Sequence, residues 1–210
     1  MRDEVVSGYG GSGLDPDGGG SASGDSPPRG AGRPVEILGP HLRIAGLLEL
    51  GKFHRVTDIV NSSNGNGLLR LSEAKVLLRD GEPSSLDAGD LWVSPSEMSV
   101  VAELETSRTV RPEDGSVVSK TRAALAIVTP GHTLTGYVYT PPGATMEVFL
   151  SSPEPAFLPM TSIRVRSLID RHIEAEYPFA LLNRRHIIAA SPVKEASRPL
   201  SVSLFERLRY

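Results

Sequence analysis

The chain repeats itself, and the repetition limits its folds more than any motif does. Residues 34–50 laid over residues 124–140, a shift of 90, place Val35, Ile37 and Leu38 on Leu125, Ile127 and Val128. Pro40 falls on Pro130, Ile44 and Gly46 on Leu134 and Gly136, and Leu48 on Val138. Each copy reads as strand, turn, strand. Leu38-Gly39-Pro40-His41 and Thr129-Pro130-Gly131-His132 supply the turn residues. The same shift puts Val56, Ile59 and Val60 on Met146, Phe149 and Leu150. Their i, i+3, i+4 spacing predicts a short helix in each copy. Asp58 in the first turn suits the helix dipole.

One residue is then dropped, so the shift becomes 89. Leu68-Leu69-Arg70-Leu71 lies over Phe157-Leu158-Pro159-Met160, Lys75-Val76 over Arg164-Val165, and Trp92-Val93-Ser94 over Leu181-Leu182-Asn183. A third strand is expected through Leu69, Leu71, Ala74 and Val76. A fourth and fifth, Leu91 to Val93 and Met98 to Leu104, are expected to pair as a hairpin around Ser94-Pro95-Ser96-Glu97. Their counterparts are Phe179 to Leu182 and Ile187 to Ala190, around Asn183-Arg184-Arg185-His186.

The expected fold is mainly β: two tandem small β-sheet or barrel units, each with four to five strands and one short helix. The boundaries read as a tail over 1–33, repeat one over 34–104, a linker over 105–121, repeat two over 122–192 and an extension over 193–210. Units of this size are near the lower limit for folding alone, so they are expected to pack as a pseudo-twofold pair. Gly46 and Gly136, inside strands, read as bulges or bends, or as places where a ligand meets the backbone. Leu200 to Tyr210 reads as a last strand or a short helix through Leu204, Phe205 and Leu208.

Composition matters mainly at the N-terminus. Ten of the 21 glycines precede Pro34, with few apolar residues among them, so a disordered tail is expected. It lacks the apolar core of a secretory signal. Gly8-Tyr9-Gly10-Gly11-Ser12-Gly13 lacks the lysine of a phosphate loop and the strand and helix that should frame it. With no cysteine, disulfides, thiolate zinc sites and cysteine nucleophiles are excluded. No apolar run approaches the roughly 20 residues of a membrane helix. A cytoplasmic protein is expected.

Catalytic signatures are not found. The histidines His41, His54, His132, His172 and His186 do not share metal-ligand spacing. The chain has no Gly-x-Ser-x-Gly elbow. Glu103 and Glu105 border the linker, and Glu174 and Glu176 read as part of a polar loop. No cofactor is implied, and a non-enzymatic protein is expected.

The net charge of −3 hides an uneven distribution. From residue 164 onward stand Arg164, Arg166, Arg171, Arg184, Arg185, Lys194, Arg198, Arg207 and Arg209, against Asp170, Glu174, Glu176, Glu195 and Glu206. Repeat two is therefore basic and repeat one acidic. The candidate basic interaction surface is Arg164, Arg166, Arg184, Arg185 and His186. Either it attracts the acidic repeat, within the chain or between protomers, or it meets nucleic acid, as some OB-type and Sm-like barrels do.

Thr145-Met146-Glu147-Val148-Phe149-Leu150-Ser151, then Phe157-Leu158-Pro159-Met160-Thr161, then Asn183-Arg184-Arg185-His186-Ile187 resembles an uncharacterised bacterial small-β domain family. That family has a short helix, an F-L-P-[LM]-T strand and a closing N-[KR]-x-H-I strand. The resemblance covers most of repeat two and implies a bacterial, intracellular adaptor with no catalytic residue. The leading expectation is a protein-interaction, assembly or regulatory module that binds a protein partner or itself, with no membrane. The alternatives are a nucleic-acid-binding regulator and a small-ligand sensor between the repeats.

Overall fold

A computed structural model describes residues 32–62, 67–78, 84–105, 120–169 and 174–193. The glycine-rich tail with its Gly8–Gly13 run, most of the linker, and the element expected through Leu204, Phe205 and Leu208 lie outside the described residues.

The protein is mainly β. The first half runs β1 (Arg33–Leu38), β2 (Leu42–Leu48), α1 (Val56–Ser62), β3 (Leu69–Leu78), β4 (Ser84–Val93), a 3-10 turn (Pro95–Glu97) and β5 (Val100–Glu103). The second runs β6 (Thr121–Val128), β7 (His132–Thr140), α2 (Met146–Ser151), β8 (Phe157–Ser167), β9 (Glu174–Asn183), a 3-10 turn (Arg184–His186) and β10 (Ala189–Pro192). The ten strands of the described residues form one antiparallel sheet in the order β10-β6-β7-β8-β9-β5-β1-β2-β3-β4. No helix among the described residues is long and apolar enough to cross a membrane.

The strand order of the first half, β5-β1-β2-β3-β4, is also that of the second, β10-β6-β7-β8-β9. Registers correspond as well. Ile37 faces Ile44 as Ile127 faces Leu134. Ile44 faces Val76 as Leu134 faces Val165. Leu69 faces Val93 as Leu158 faces Leu182. Ile37 faces Val101 as Ile127 faces Ala190.

Both halves break register where the glycines stand, between Ala45 and Leu47 and between Thr135 and Tyr137. Opposite them, Glu73 and Ser162 adopt positive φ angles of 52° and 50°. A Cβ on Gly46 would lie 3.1 Å from the Ser72 carbonyl oxygen and 3.2 Å from the Ala74 Cα; on Gly136 it would lie 3.2 Å from the Thr161 oxygen. The crowding comes from the next strand of the same sheet, so these glycines bend the sheet. Gly46→Val is expected to lose about 1–3 kcal/mol through overpacking, read as a lower urea midpoint at unchanged slope.

The expected β4–β5 hairpin does not form. β4 pairs with β3, while β5 pairs with β1 and β9. Ser94, the Pro95–Glu97 turn and Met98 redirect the chain, and both flanking residues are extended. β5 then lies between two strands and buries all four residues. β9 and β10 part in the same way at Arg184–His186. Glu174 and Glu176 belong to β9 and not to a loop.

Among the described residues, the strand pairing that joins the two halves is β5 on β9, with Val100↔Leu182, Val101↔Leu181, Ala102↔Ala180 and Glu103↔Phe179. The apolar cores cross this join. Phe157 and Leu181 of the second half belong to the cluster around Val56, Val60 and Leu71. Leu38, Val100 and Ala102 of the first belong to the cluster around Leu125, Leu134 and Met160.

Candidate interaction surface

Four of the five basic residues singled out in the sequence have partners within the protein. Arg164 and Arg166, on β8, stand opposite Glu176 and Glu174 of β9. Arg164 pairs with both carboxylates, and Arg166 with Glu174 at 3.1 Å. Lys75 and Asp87 make the corresponding cross-strand pair in the first half, at 3.9 Å. Opposite charges across a ladder neutralise one another and set register.

Arg184 turns inward. Its Nη1 donates to the Phe149 carbonyl at 2.7 Å and its Nε to the Pro155 carbonyl at 2.9 Å. Its guanidinium lies over the Phe149 ring. Desolvation holds its pKa below the ordinary arginine value. This side chain satisfies carbonyls at the C-terminal end of α2.

His186 reaches the first half. Its Nδ1 lies 2.8 Å from the Ser99 hydroxyl and its Nε2 2.9 Å from the Ser96 carbonyl. Arg185 remains exposed. Of the five, therefore, two lie in an ion-pair ladder, one caps a helix and one clasps the join. His186 did carry a signal in sequence: Glu97 stands at the aligned position of the first half, an exchange of acid for base.

The residues that sequence reasoning missed are the other polar groups at the join. Asn183 donates from Nδ2 to the carbonyls of Pro95 at 3.2 Å and Met98 at 2.9 Å, and from its amide to Ser99 at 2.9 Å. Asn61 of α1 accepts from the Phe157 amide at 2.8 Å and donates to the Phe157 carbonyl at 3.3 Å. Glu36, buried on β1, bonds Arg43 beside it and the Tyr177 hydroxyl of β9. Ala126 stands where the repeat would place a second Glu36, so no local pattern announced this network.

Burial first and Glu36 second hold the Tyr177 phenol above its ordinary value. A raised folded value means the interaction is fully present below about pH 10, the ordinary phenol value, and is lost as pH climbs through the folded one. An ultraviolet titration is expected to show a phenol that ionises above the ordinary range, a step absent in Tyr177→Phe.

The sheet's two outer strands contrast with this join. Among the described residues, β4 pairs only with β3 and β10 only with β6. Trp92 of β4 is 55% exposed and Leu68 beside β3 is 62% exposed. Their counterparts at the join, Leu181 and Phe157, are 0% and 3% exposed. At the other end Ile188 is 66% exposed, where its counterpart Ser99 is fully buried. Val148 of α2 is exposed too, and α2 buries no residue, whereas α1 buries Val56 and Val60. Unpaired backbone beside exposed apolar side chains is a template for another chain.

No family model matches this chain, and neither the curated proteins nor the solved structures searched contain a match.

Proposed function

We propose that the chain is two copies of one five-stranded unit, joined head to tail through unlike edge strands. We further propose that it works as a non-enzymatic protein-interaction and assembly module. The interacting elements are the two ends of the sheet, β4 with Leu68 and Trp92, and β10 with Ile188 and the neighbouring α2. The observation that carries this reading is the exposure of apolar side chains at both ends, in positions whose counterparts are buried at the join. Side chains of this size are exposed at the expense of roughly 1.5–3 kcal/mol each relative to full burial, which favours their being covered by a partner.

The alternatives have less support. Arg164, Arg166, Arg184 and His186 are engaged within the protein, which weakens a nucleic-acid surface. The join is filled by Val100, Val101, Ala102, Leu181 and Leu182, all at most 1% exposed, which weakens a ligand cleft there. The test is a photo-reactive residue placed at position 92 or 188 of the full chain in its native cell. Cross-links to polypeptide are expected at both positions. Their absence at both overturns the reading.

A further inference from the structure

We infer that the partner at each sheet end is a second copy of this chain, with β4 of one molecule pairing antiparallel with β10 of the next. The inference rests on the assembly reading above and names its partner. The join inside the chain supplies the template. β9 corresponds to β4 and β5 to β10 by strand order. Shifting the β5–β9 register by the repeat offset of 89 gives Val93 opposite Ala189, Trp92 opposite Ala190, Leu91 opposite Ser191 and Asp90 opposite Pro192 of the neighbour. Among the described residues, the two outer strands are thus the two halves of an interface the molecule already makes once.

Backbone chemistry agrees with this pairing. Val193 donates to Ala124 of β6. By the alternation of an antiparallel ladder, the Ala190 amide faces away from β6. It is therefore available to a neighbour's Trp92. Pro192, one alternation further, has no N–H to offer, so the outer ladder has one hydrogen bond fewer than β5–β9.

The side chains agree too. Leu68 and Trp92 would occupy, against α2 and β10 of the next chain, the places Phe157 and Leu181 occupy in the cluster that contains Val56 and Val60 of α1. Met146 and Leu150, the α2 counterparts of those valines, are only half-buried. Small Ala189 and Ala190 replace Val100 and Val101 on the receiving strand, which leaves room for the indole of Trp92 in place of Leu181.

Charge selects unlike ends. Residues 34–105 carry eleven acidic and six basic side chains, and residues 120–193 carry seven basic and five acidic. Head-to-tail contact sets the acidic half of one chain against the basic half of the next, while contact between like ends sets like charge against like. A heterologous contact of this kind closes into a ring or continues as a filament.

The network of Glu36, Arg43 and Tyr177 is confined to the inner join. Ala126, Thr133 and Ala88 stand at its counterparts. The outer contact is therefore purely backbone and apolar there, and it is expected to dissociate before the inner join opens.

The experiment is mass measurement by light scattering on the purified full chain, with Trp92→Glu and Ile188→Glu as blocking variants. Both positions are exposed, and unchanged circular dichroism and melting temperature confirm that each variant folds. Wild type is expected at a whole multiple of 22.4 kDa, two or more, with each variant alone at the monomer mass. Mixing the two variants is expected to give a heterodimer and nothing larger, because one intact β4 and one intact β10 remain. A monomeric wild type throughout the micromolar range overturns self-pairing, as does failure of the mixed variants to associate. If such a monomer still cross-links to other polypeptides through position 92 or 188, self-pairing alone has failed. If it cross-links to none, the assembly reading has failed as well.

Discussion

Phe157→Ala is expected to lower stability by about 3–5 kcal/mol, the range for removing a buried phenylalanine, and to damage the half of the molecule in which Phe157 does not lie. Its ring is 3% exposed within the cluster formed by Val35, Ile37, Leu48, Val56 and Val60. Its amide and carbonyl are held by Asn61 of α1. The truncation therefore opens a cavity beneath α1, and one cooperative transition is expected to shift as a whole. Leu68→Ala, at the counterpart position, is expected to change the stability of the isolated chain by less than about 0.5 kcal/mol, because that side chain is mostly in water. Urea unfolding followed by circular dichroism checks both. The difference between the two substitutions is the contrast between a closed and an open end, expressed in energy.

Glu36→Ala is expected to be the next most damaging change. Glu36 is 5% exposed and is shared by Arg43 and the Tyr177 hydroxyl. Removing it leaves the phenol without its acceptor and the guanidinium without its counter-ion. Breaking a fully buried pair typically costs about 3–5 kcal/mol. The Arg43 side chain keeps 34% of its surface in water, so a loss on the order of 2 kcal/mol is expected. Arg43 is held above the ordinary arginine value first by its bond to Glu36. The double variant Glu36→Leu with Arg43→Leu is expected to recover much of the loss, since apolar pairs often replace buried ion pairs without penalty. Tyr177→Phe added to Glu36→Ala is expected to cost little more, because the two groups share one interaction.

The ladders inside each half were legible in sequence because they rest on local signals. Alternation at Val35, Ile37, Leu69 and Leu71 places strands, the Val56, Ile59, Val60 triplet places α1, and Gly46 and Gly136 mark the bulges. The join was not legible. Val100-Val101-Ala102 and Ala180-Leu181-Leu182 are generic buried strands, and nothing in either says that they are neighbours. Closeness in sequence favoured a β4–β5 hairpin. The 3-10 turn, with Pro95 at its start, sends β5 to the far side of β1 instead.

The partners of the charged residues were hidden for a related reason. Arg164 and Glu176 are twelve positions apart and meet only through the β8–β9 register. Arg184 is satisfied by main-chain carbonyls of Phe149 and Pro155, which every residue carries and no sequence pattern displays. The clue that would have helped is the repeat itself. Positions that differ in character between the two aligned halves, such as Trp92 against Leu181 and Ile188 against Ser99, are those where one residue is buried at the join and the other is exposed.

Amide hydrogen exchange at Leu181, Val101, Trp92 and Ala190 tests head-to-tail assembly most directly. If the inner join and the outer contact are versions of one interface, Leu181 and Val101 exchange only through global opening at every concentration. Trp92 and Ala190 are protected together at high concentration and released together on dilution or by Trp92→Glu. Rapid exchange at Trp92 and Ala190 at all concentrations, or a release of Leu181 and Val101 that follows theirs, would contradict it.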